Sequence, residues 1–587
     1  MNLNPSAIVG IGLIGAVTFY LGFHSSRLAN TTPDFLVARR IVRSRRNAAA
    51  ITGEYLSAAS FLGVAGLILK DGVDSLWYGV GFTAGYLALL LFVAAPLRRS
   101  GAYTLPDFAE ARLGSPGLRN LSTVFVVVIS VLYLVPQLQG AGLALSTVLP
   151  VPQWVGMVVV ILLVAANVFG GGMRSITVVQ AFQYWVKLVA IAVPTFVLVV
   201  VFAGGHPVQG SLSADSPPRF ATTKTITVPA TVRLQVAEPV KAQAFGDVNS
   251  FDNNGPLLMN PGQDYTVAAG TKLIFPAGSP TPTPTGSPLT DAAWLRPQSG
   301  GVSALLGTYS LILALFLGTM GLPHVLVRFY TNPNGRAARR TTLHVLLLLG
   351  LFYLFPTMLG ALARLYTPEL LVTGRTDAAV LLLPTRVLPG VAGEVLGAVI
   401  VAGAFAAFLS TSSGLLVSIA GVVSTEAFPG RVRDFRWATV LAASVPLALA
   451  IALPETDISL SVGLSFALAA STFCPVLVVG IWWRRLTWVG AAAGMVVGGG
   501  LVLVALTLNI VSEFTGTPAP WPVVQPALIT VPAAFAAVFL GSLCTQRRIP
   551  DDVNRILLRL HAPDPLGLTR DRDIARFGEA PSGRHAR

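Results

Sequence analysis

Gly53-Glu54-Tyr55-Leu56-Ser57-Ala58-Ala59-Ser60-Phe61-Leu62-Gly63 interrupts an apolar run with small and hydroxyl residues held between two glycines. A soluble helix could carry such a patch on its wet face. Here it lies near the middle of Ala48 to Lys70, a stretch of the ~20 apolar residues that cross a bilayer as a helix. It reads as either close helix packing through small residues or a helix broken at mid-membrane, whose freed carbonyls hold ions and solute. A counterpart in the second half of the chain, Gly318-Thr319-Met320-Gly321-Leu322-Pro323, favours the break, because paired Gly/Pro interruptions at corresponding places mark discontinuous helices.

Working outward, the 587 residues are 53% hydrophobic and 11% charged, where soluble chains carry about 25% charged residues. About thirteen spans follow on the ~20-residue criterion: Ile8 to His24, Ala48 to Lys70, Trp77 to Leu97, Leu121 to Val148, Trp154 to Phe169, Ile176 to Phe202, Val302 to Leu322, Leu343 to Leu365, Gly390 to Val423, Trp437 to Leu453, Ile458 to Trp483, Trp488 to Val511 and Val523 to Cys544. The net charge of +14 lies in short loops rather than in a basic domain with stacking aromatics, so nucleic acid is not an expected partner. Arginines follow alternate spans: Arg39 to Arg46, Arg98 to Arg119, Arg174, Arg328 to Arg340, Arg431 to Arg436, Arg484 and Arg485, Arg547 and Arg548. The positive-inside rule then places the N-terminus outside and the C-terminus in the cytoplasm. Arg364, Arg375 and Arg386 dissent, lying outside with Glu369 and Asp377. Cys474 and Cys544, far apart in apolar stretches, read as packing residues, not as a disulfide or zinc pair. No basic residue precedes the first span and no small-residue cleavage motif follows it, so it reads as a retained helix.

The expected organisation is an extra helix and basic loop (1–47), five helices (48–203), an outside insert (204–301), five helices (302–486), two further helices (487–545) and a basic tail (546–587). Five helices per half make equivalent helices antiparallel, as in transporters built from inverted repeats. The insert's alternation from Thr223 to Val236 predicts a small β-rich cap, and its Pro/Thr run from Ser279 to Pro288 a stiff linker. No G-x-x-x-x-G-K-[ST] motif occurs, so ATP is not the expected power source. Neither an H-E-x-x-H pair nor a clustered nucleophile, base and acid is present to make the chain an enzyme.

Ser410-Thr411-Ser412-Ser413 lies deep in the apolar run from Val391 to Val423. Single hydroxyls bond back to their own helix, but four in succession cannot share one face. A hard cation such as Na⁺ takes a cage of oxygens, which hydroxyls facing an unwound helix supply. Glu54 and Lys187 are ionisable within the spans. Glu54 reads as a coupling or gating carboxylate or as the partner of a loop arginine; Lys187 as the neutraliser of a substrate carboxylate, the occupant of a cation-like position, or a snorkelling side chain. Gln137 and Gln139, with Tyr133 around Pro136, are candidate solute contacts. His324 and Arg328 are candidate gate residues.

The Gly53–Gly63 segment, Gly171-Gly172-Met173-Arg174-Ser175, Gly321-Leu322-Pro323-His324-Val325-Leu326-Val327-Arg328-Phe329 and the helix from Ala404 to Glu426 together resemble the sodium:solute symporter family, in its cation/acetate branch. The resemblance implies an all-α membrane protein with a LeuT-like core of two five-helix inverted repeats. It further implies sodium held by the carbonyls of Gly53, Leu56 and Ala407 and the hydroxyls of Ser410 and Thr411. A short monocarboxylate such as acetate would lie near Ser57, Ala58, Ser60, Gln137, Gln139, Gly318 and Met320, in a bacterial inner-membrane symporter. Gln180 stands where proline- and sugar-carrying relatives have an acid, which weakens the case for a second cation site; acetate-type relatives do not all keep hydroxyls at 410 and 411, which leaves the proton as the alternative ion. Proline, sugar or nucleobase symport, solute sensing and passive conduction are the competing functions.

Overall fold

A computed structural model describes residues 5–26, 38–205, 215–297, 301–426, 432–453, 457–515 and 519–568. The leading helix is α1 (Pro5–Ser26). The first half then runs through α2 (Ser44–Tyr55), α3 (Val64–Asp71), α4 (Leu76–Phe92), α5 (Pro116–Val148) and α6 (Gln153–Ala203). The second runs through α7 (Gly301–Gly318), α8 (Pro323–Val327), α9 (Gly335–Tyr366), α10 (Val391–Glu426), α11 (Val432–Ala452) and α12 (Ile458–Trp482), with α13 (Trp488–Thr515) and α14 (Ala527–Cys544) following.

Among the described residues, eleven helical stretches are long and apolar enough to cross a membrane. The difference from the thirteen expected spans has two sources. Ala59–Phe92 is one apolar stretch that holds parts of two spans, α3 and α4. They join at Gly72, whose φ of +74° and whose contact with the Trp294 carbonyl leave no room for a side chain. The other source is Gln153–Phe169, which falls short of the usual spanning length and continues into the rest of α6.

The 51 residues of α6 would reach about 76 Å if straight, far more than a bilayer. The run instead turns back on itself. Gly15 of α1 approaches Leu163, Gly22 approaches both Asn167 and Ser175, and Thr18 accepts a hydrogen bond from Gln183. Residues on either side of the glycine-rich stretch near 170 thus pack against one helix in opposite order, which makes two antiparallel arms. The side chain of Arg174 lies outside the described residues.

Two five-helix units result, one on each side of the insert. α10 packs on both α5 and α6, α2 on α6, α7 on α4 and α12, and α13 on α14. Most of α12 is buried, as the central helix of the bundle. Cys474 is buried within it; Cys544 is exposed on α14 and does not pack, because that helix turns one side outward at the edge of the bundle.

The insert forms an antiparallel sheet of β1 (Lys224–Thr227), β2 (Val232–Gln235), β3 (Val240–Val248), β4 (Phe251–Met259), β5 (Tyr265–Val267), β6 (Lys272–Phe275) and β7 (Thr283–Pro284), in the order β1-β6-β3-β5-β2-β7 with β4 on β3. Part of the Pro/Thr run is therefore strand rather than linker. Pro284 is tolerated because β7 closes the sheet, where a missing N–H breaks no ladder. Asn249 and Ser250, both at positive φ, turn the β3–β4 hairpin. The inward residues, including Phe220, Leu234, Val240, Leu273 and Phe275, make a separate core that also takes in Val372 from the loop after α9. The three dissenting arginines lie on this side. Arg364 pairs with Asp291 at 3.0 Å and Arg386 with Glu369 at 3.1 Å, so two of them have acidic partners from the same region.

Candidate functional site

α2 stops at Tyr55, and the chain resumes as one wide π-helical turn over Ala59–Gly63 before α3. The intervening residues leave the carbonyls of Gly53 and Leu56 without the amide partner that a continuous helix would give them. The backbone of Ala58 is held from α5, its N–H donating to Gln137 Oε1 at 2.8 Å. In the second half α7 stops at Gly318 and α8 starts at Pro323. A Cβ at Gly318 would meet the Phe466 carbonyl oxygen at 2.5 Å, and Gly321 sits against the Ala469 carbonyl, so both glycines let the broken helix lie on α12. Both expected interruptions are present.

The oxygens expected to hold sodium converge. Gly53, Leu56, Ala407, Ser410 and Thr411 are all buried where α2 meets α10. A lysine already sits among them: Lys187 Nζ, fully buried on the second arm of α6, donates to Gly53 O, to Leu56 O at 2.8 Å and to Ser410 Oγ at 2.6 Å. Its three donors thus have three acceptors. Ser410 Oγ lies 2.8 Å from Gly53 O and 3.0 Å from Ala407 O, and Thr411 Oγ1 donates to Glu54 O at 2.5 Å. A unit cation on the same oxygens would lie about 3 Å from Nζ and, against the protonated form of the amine, would be repelled by roughly 5 kcal/mol at an effective dielectric near 20. Of the alternatives for Lys187, snorkelling is excluded, because its head is bound at the helix break.

One step away lies a buried ion pair. Arg328 Nε donates to Glu54 Oε2 at 2.6 Å, with side-chain exposures of 0% and 1%. The guanidinium also reaches Thr177 Oγ1 at 2.9 Å and Gln180 Oε1, while Gln180 Nε2 donates to Ser410 O at 2.7 Å. Gln180 therefore joins the arginine to the lysine cage, a task for which an amide is suited because it both accepts and donates. Glu54 has its partner in Arg328, so two of the gating candidates are one unit. Gly414 makes the space, since a Cβ there would overlap the Glu54 carboxylate.

The solute candidates divide. Ser57, Ala58 and Gln137 meet at the first break; Ser57 Oγ faces the Tyr133 hydroxyl, and Gln137 Nε2 is buried with no hydrogen-bond partner among the described residues. Gly318 and Met320 belong to the second break. Ser60 bonds Tyr353 Oη at 2.8 Å, one helix over. Gln139, two residues beyond Gln137 and so about 200° round the helix, reaches the Ala450 and Leu453 carbonyls at 3.4 Å and lines a different cavity with Leu449 and Asn509. His324 is fully buried, with neither ring nitrogen partnered among the described residues, and its ring meets Tyr133 edge-on at 5.2 Å.

Sequence reading missed the aromatic wall. Tyr55 packs on Tyr86 at 4.9 Å and on Phe466 at 6.0 Å, Phe466 lies 5.9 Å from Tyr133, and Tyr55 Oη bonds Thr319 Oγ1 across the two breaks at 2.8 Å. Tyr86 Oη is buried and unpartnered among the described residues. Tyr55 lies in the Gly53–Gly63 segment and Tyr133 beside Pro136, but Tyr86 and Phe466 carry no sequence signal beyond an aromatic in an apolar run.

Comparison with known proteins agrees with this architecture. The profile of the sodium:solute symporter family matches residues 35–240 and 284–498, leaving out most of the sheet insert. The uncharacterized symporter YwcA of Bacillus subtilis is 29% identical over 93% of this chain and 94% of its own. A monocarboxylic acid transporter of Corynebacterium glutamicum is also 29% identical, over 94% of this chain and 93% of its own. Among solved structures, a Na⁺-coupled sialic acid symporter superposes with a TM-score of 0.59 at 13% identity, covering 92% of this chain and 97% of that one. That likeness bears on the fold, which is the LeuT-like arrangement of two five-helix repeats.

Proposed function

Because the chain belongs to the sodium:solute symporter family, we propose that it carries acetate or another short monocarboxylate into a bacterial cell, coupled to inward movement of a cation, sodium or the proton. The family consists of transporters, so no covalent chemistry is involved. The observation that carries the substrate reading is the pair of buried, unspent donors near the breaks, Gln137 Nε2 and Tyr86 Oη. A carboxylate offers about four lone-pair sites and no donor, which is the complement such a group lacks. The aromatic faces of Tyr55, Tyr133 and Phe466 give a short alkyl group an apolar wall. The monocarboxylic acid transporter relative, aligned over nearly the full length, supports the same class.

On this reading the ion's seat is the oxygen set of Gly53, Leu56, Ala407, Ser410 and Thr411. The Glu54–Arg328 unit seals the side where α2 begins, which the arginine-rich loops mark as cytoplasmic. The sheet insert then faces outward. Solute and cation enter from that side, and release follows when the buried pair parts.

The test is uptake of radiolabelled acetate into proteoliposomes, for wild type and Gln137→Leu. Wild type should accumulate acetate under an imposed cation gradient, competed by propionate but not by proline or glucose. Gln137→Leu should raise KM, since it removes one donor and the hold on Ala58. Accumulation of proline or a sugar instead of acetate would overturn the substrate class, and uptake indifferent to every cation gradient would overturn symport.

A further inference from the structure

We propose that the groove between the start of α2, the second arm of α6 and α9 is a binding site for one anionic phospholipid, its phosphate held by Arg45 and Arg46 and an acyl chain lying along Phe182, Trp185, Leu347 and Leu348. The leaflet rests on the orientation read above: the arginine-rich loops are cytoplasmic, so the lipid belongs to the inner leaflet.

The groove follows the order of such a molecule, head first and chain after. Its volume is about 540 Å³, inside the range of about 300–1,000 Å³ in which proteins seat small ligands. Its charge lies at one end. Arg45 stands about 12 Å of helix before Gly53, so with the break near mid-membrane both guanidinium groups fall at headgroup level in a bilayer whose hydrocarbon is about 30 Å thick. The apolar wall lies deeper, at the level of acyl chains: Lys187, two residues beyond Trp185, bonds the break itself at Leu56 O. Trp185 and Leu347 are 54% and 64% exposed, so this wall faces out of the bundle, where lipid stands rather than water.

The charge at the mouth is not compensated from within. No carboxylate lines the groove, and neither α2 nor α9 carries an acid in its first turn; α2 also starts without a side-chain cap, so the positive end of its dipole adds to the two arginines. Among the described residues Arg45 and Arg46 have no acidic partner, whereas Arg99, Arg119 and Arg328 pair with Asp564, Glu426 and Glu54. The planar fork of arginine matches phosphate oxygens, and basic pockets between membrane helices take anionic headgroups. A soluble anion would leave the apolar length unfilled, and a zwitterionic lipid would bring a second positive charge against the arginines.

The site also fastens a functional part. α2 is tied to α9 at its start, where Ser44 Oγ donates to Ala337 O at 3.1 Å, and α6 is tied to α9 where Tyr184 Oη donates to Leu348 O at 3.4 Å. A phosphate on Arg45 and Arg46 with its chain on α6 and α9 adds a third tie among the same elements. The piece held is the inner half of the broken helix, which carries Gly53 and Glu54, so the lipid favours the state in which the side where α2 begins is sealed.

The experiment takes the full chain, delipidated in detergent and free of solute, and titrates it with dioleoylphosphatidylglycerol, dioleoylphosphatidylcholine or inorganic phosphate, reading bound lipid by native mass spectrometry and the thermal midpoint. Wild type should retain one phosphatidylglycerol per chain and rise in midpoint with it, as binding to the folded state requires, and should do neither with the other two. With each arginine worth about fivefold, Arg45→Gln with Arg46→Gln should weaken retention about 25-fold and lose the rise. Ala181→Trp, which fills the apolar part of the groove and leaves both arginines, should lose both responses; Arg484→Gln with Arg485→Gln, exposed on another loop, should lose neither. A phosphatidylglycerol response that survives in the Arg45 and Arg46 double variant, or that phosphatidylcholine or phosphate matches, overturns the site. So does a fall in oligomeric mass with Ala181→Trp, which would make the groove a contact between copies of this chain. If the double variant does not fold, Ala181→Trp decides. Thiol labelling of Arg43→Cys from outside the cell, with the lipid response intact, would refute the orientation and leave the site standing.

Discussion

Glu54→Gln keeps the shape of the side chain and removes its charge, leaving the Arg328 guanidinium inside the bundle without a counter-ion. Both side chains are at most 1% exposed and their closest atoms are 2.6 Å apart, so no solvent compensates. Breaking a buried pair by removing one member costs about 3–5 kcal/mol. The hydrogen bonds from Arg328 to Thr177 and Gln180 survive, and glutamine still offers an oxygen to Nε, which puts the expected loss near the lower end, about 3 kcal/mol. That is roughly a hundredfold in the ratio of folded to unfolded protein. Unfolding of a multi-helix membrane protein is commonly irreversible, so the assay is the half-life at fixed temperature in detergent, followed by fluorescence size-exclusion. Pairing Glu54→Gln with Arg328→Met removes the orphaned charge, so the double variant should live longer than Glu54→Gln alone, an interaction energy that a double-mutant cycle reads directly. A Glu54→Gln half-life within a factor of two or so of wild type, or a double variant whose loss equals the sum of the two single losses, would refute the reasoning.

Three further outcomes follow from the structure. Gly53→Ala would drive a methyl group into the Gln180 carbonyl and against Tyr184, in a segment whose backbone is fixed on both sides; transport should be lost, with folded yield reduced, and Gly63→Ala, which meets the Ser459 side chain, should be harmful for the same reason. Asp377, in the loop on the insert side, has its carboxyl pushed up to about 7 by burial and by the charge of Asp457, with a further contribution of opposite sign from the Ile458 N–H at 3.0 Å. The folded state therefore holds this proton more tightly than the unfolded chain, whose Asp titrates near 4, so stability is full below about pH 4 and falls as pH rises towards about 7. Asp377→Asn should flatten that slope in thermal midpoints measured from pH 4 to 8, and an unchanged slope would show that other groups set it.

The fold was largely legible because its signals are local. The Gly53–Gly63 and Gly318–Pro323 segments each carry their own interruption, and hydropathy divides around an insert whose alternation shows even at four residues per strand. The ion seat was legible as a set of oxygens but not as an occupied one. Lys187 lies 134 positions from Gly53, and only the fold-back of α6 brings its second arm to the break, a geometry with no trace in the residues themselves. The pairing of Glu54 with Arg328 was open for the same reason: several arginines were within topological reach, and depth decided among them. Gln137 and Gln139 read alike in sequence, and helical rotation separates them. The aromatic wall was invisible because its members come one at a time from α2, α4, α5 and α12.

Val372 belongs to a loop between membrane helices, yet it is buried in the core of the sheet. The Trp294 indole, at the sheet's other tether, donates to the carbonyls of Ile68 and Leu69 at the end of α3, and Asp291 beside it holds Arg364 of α9. The sheet is thus riveted at once to the broken helix and to the loop that neighbours it. Pulling Val372 free would expose a valine worth about 1.5–3 kcal/mol, so the loop and the sheet travel as one body in any motion that costs less than that. A rigid binder raised against the outward face of β4 would then hold a lever whose short end lies at the first helix break, and its effect on uptake would be felt without touching a single residue inside the membrane.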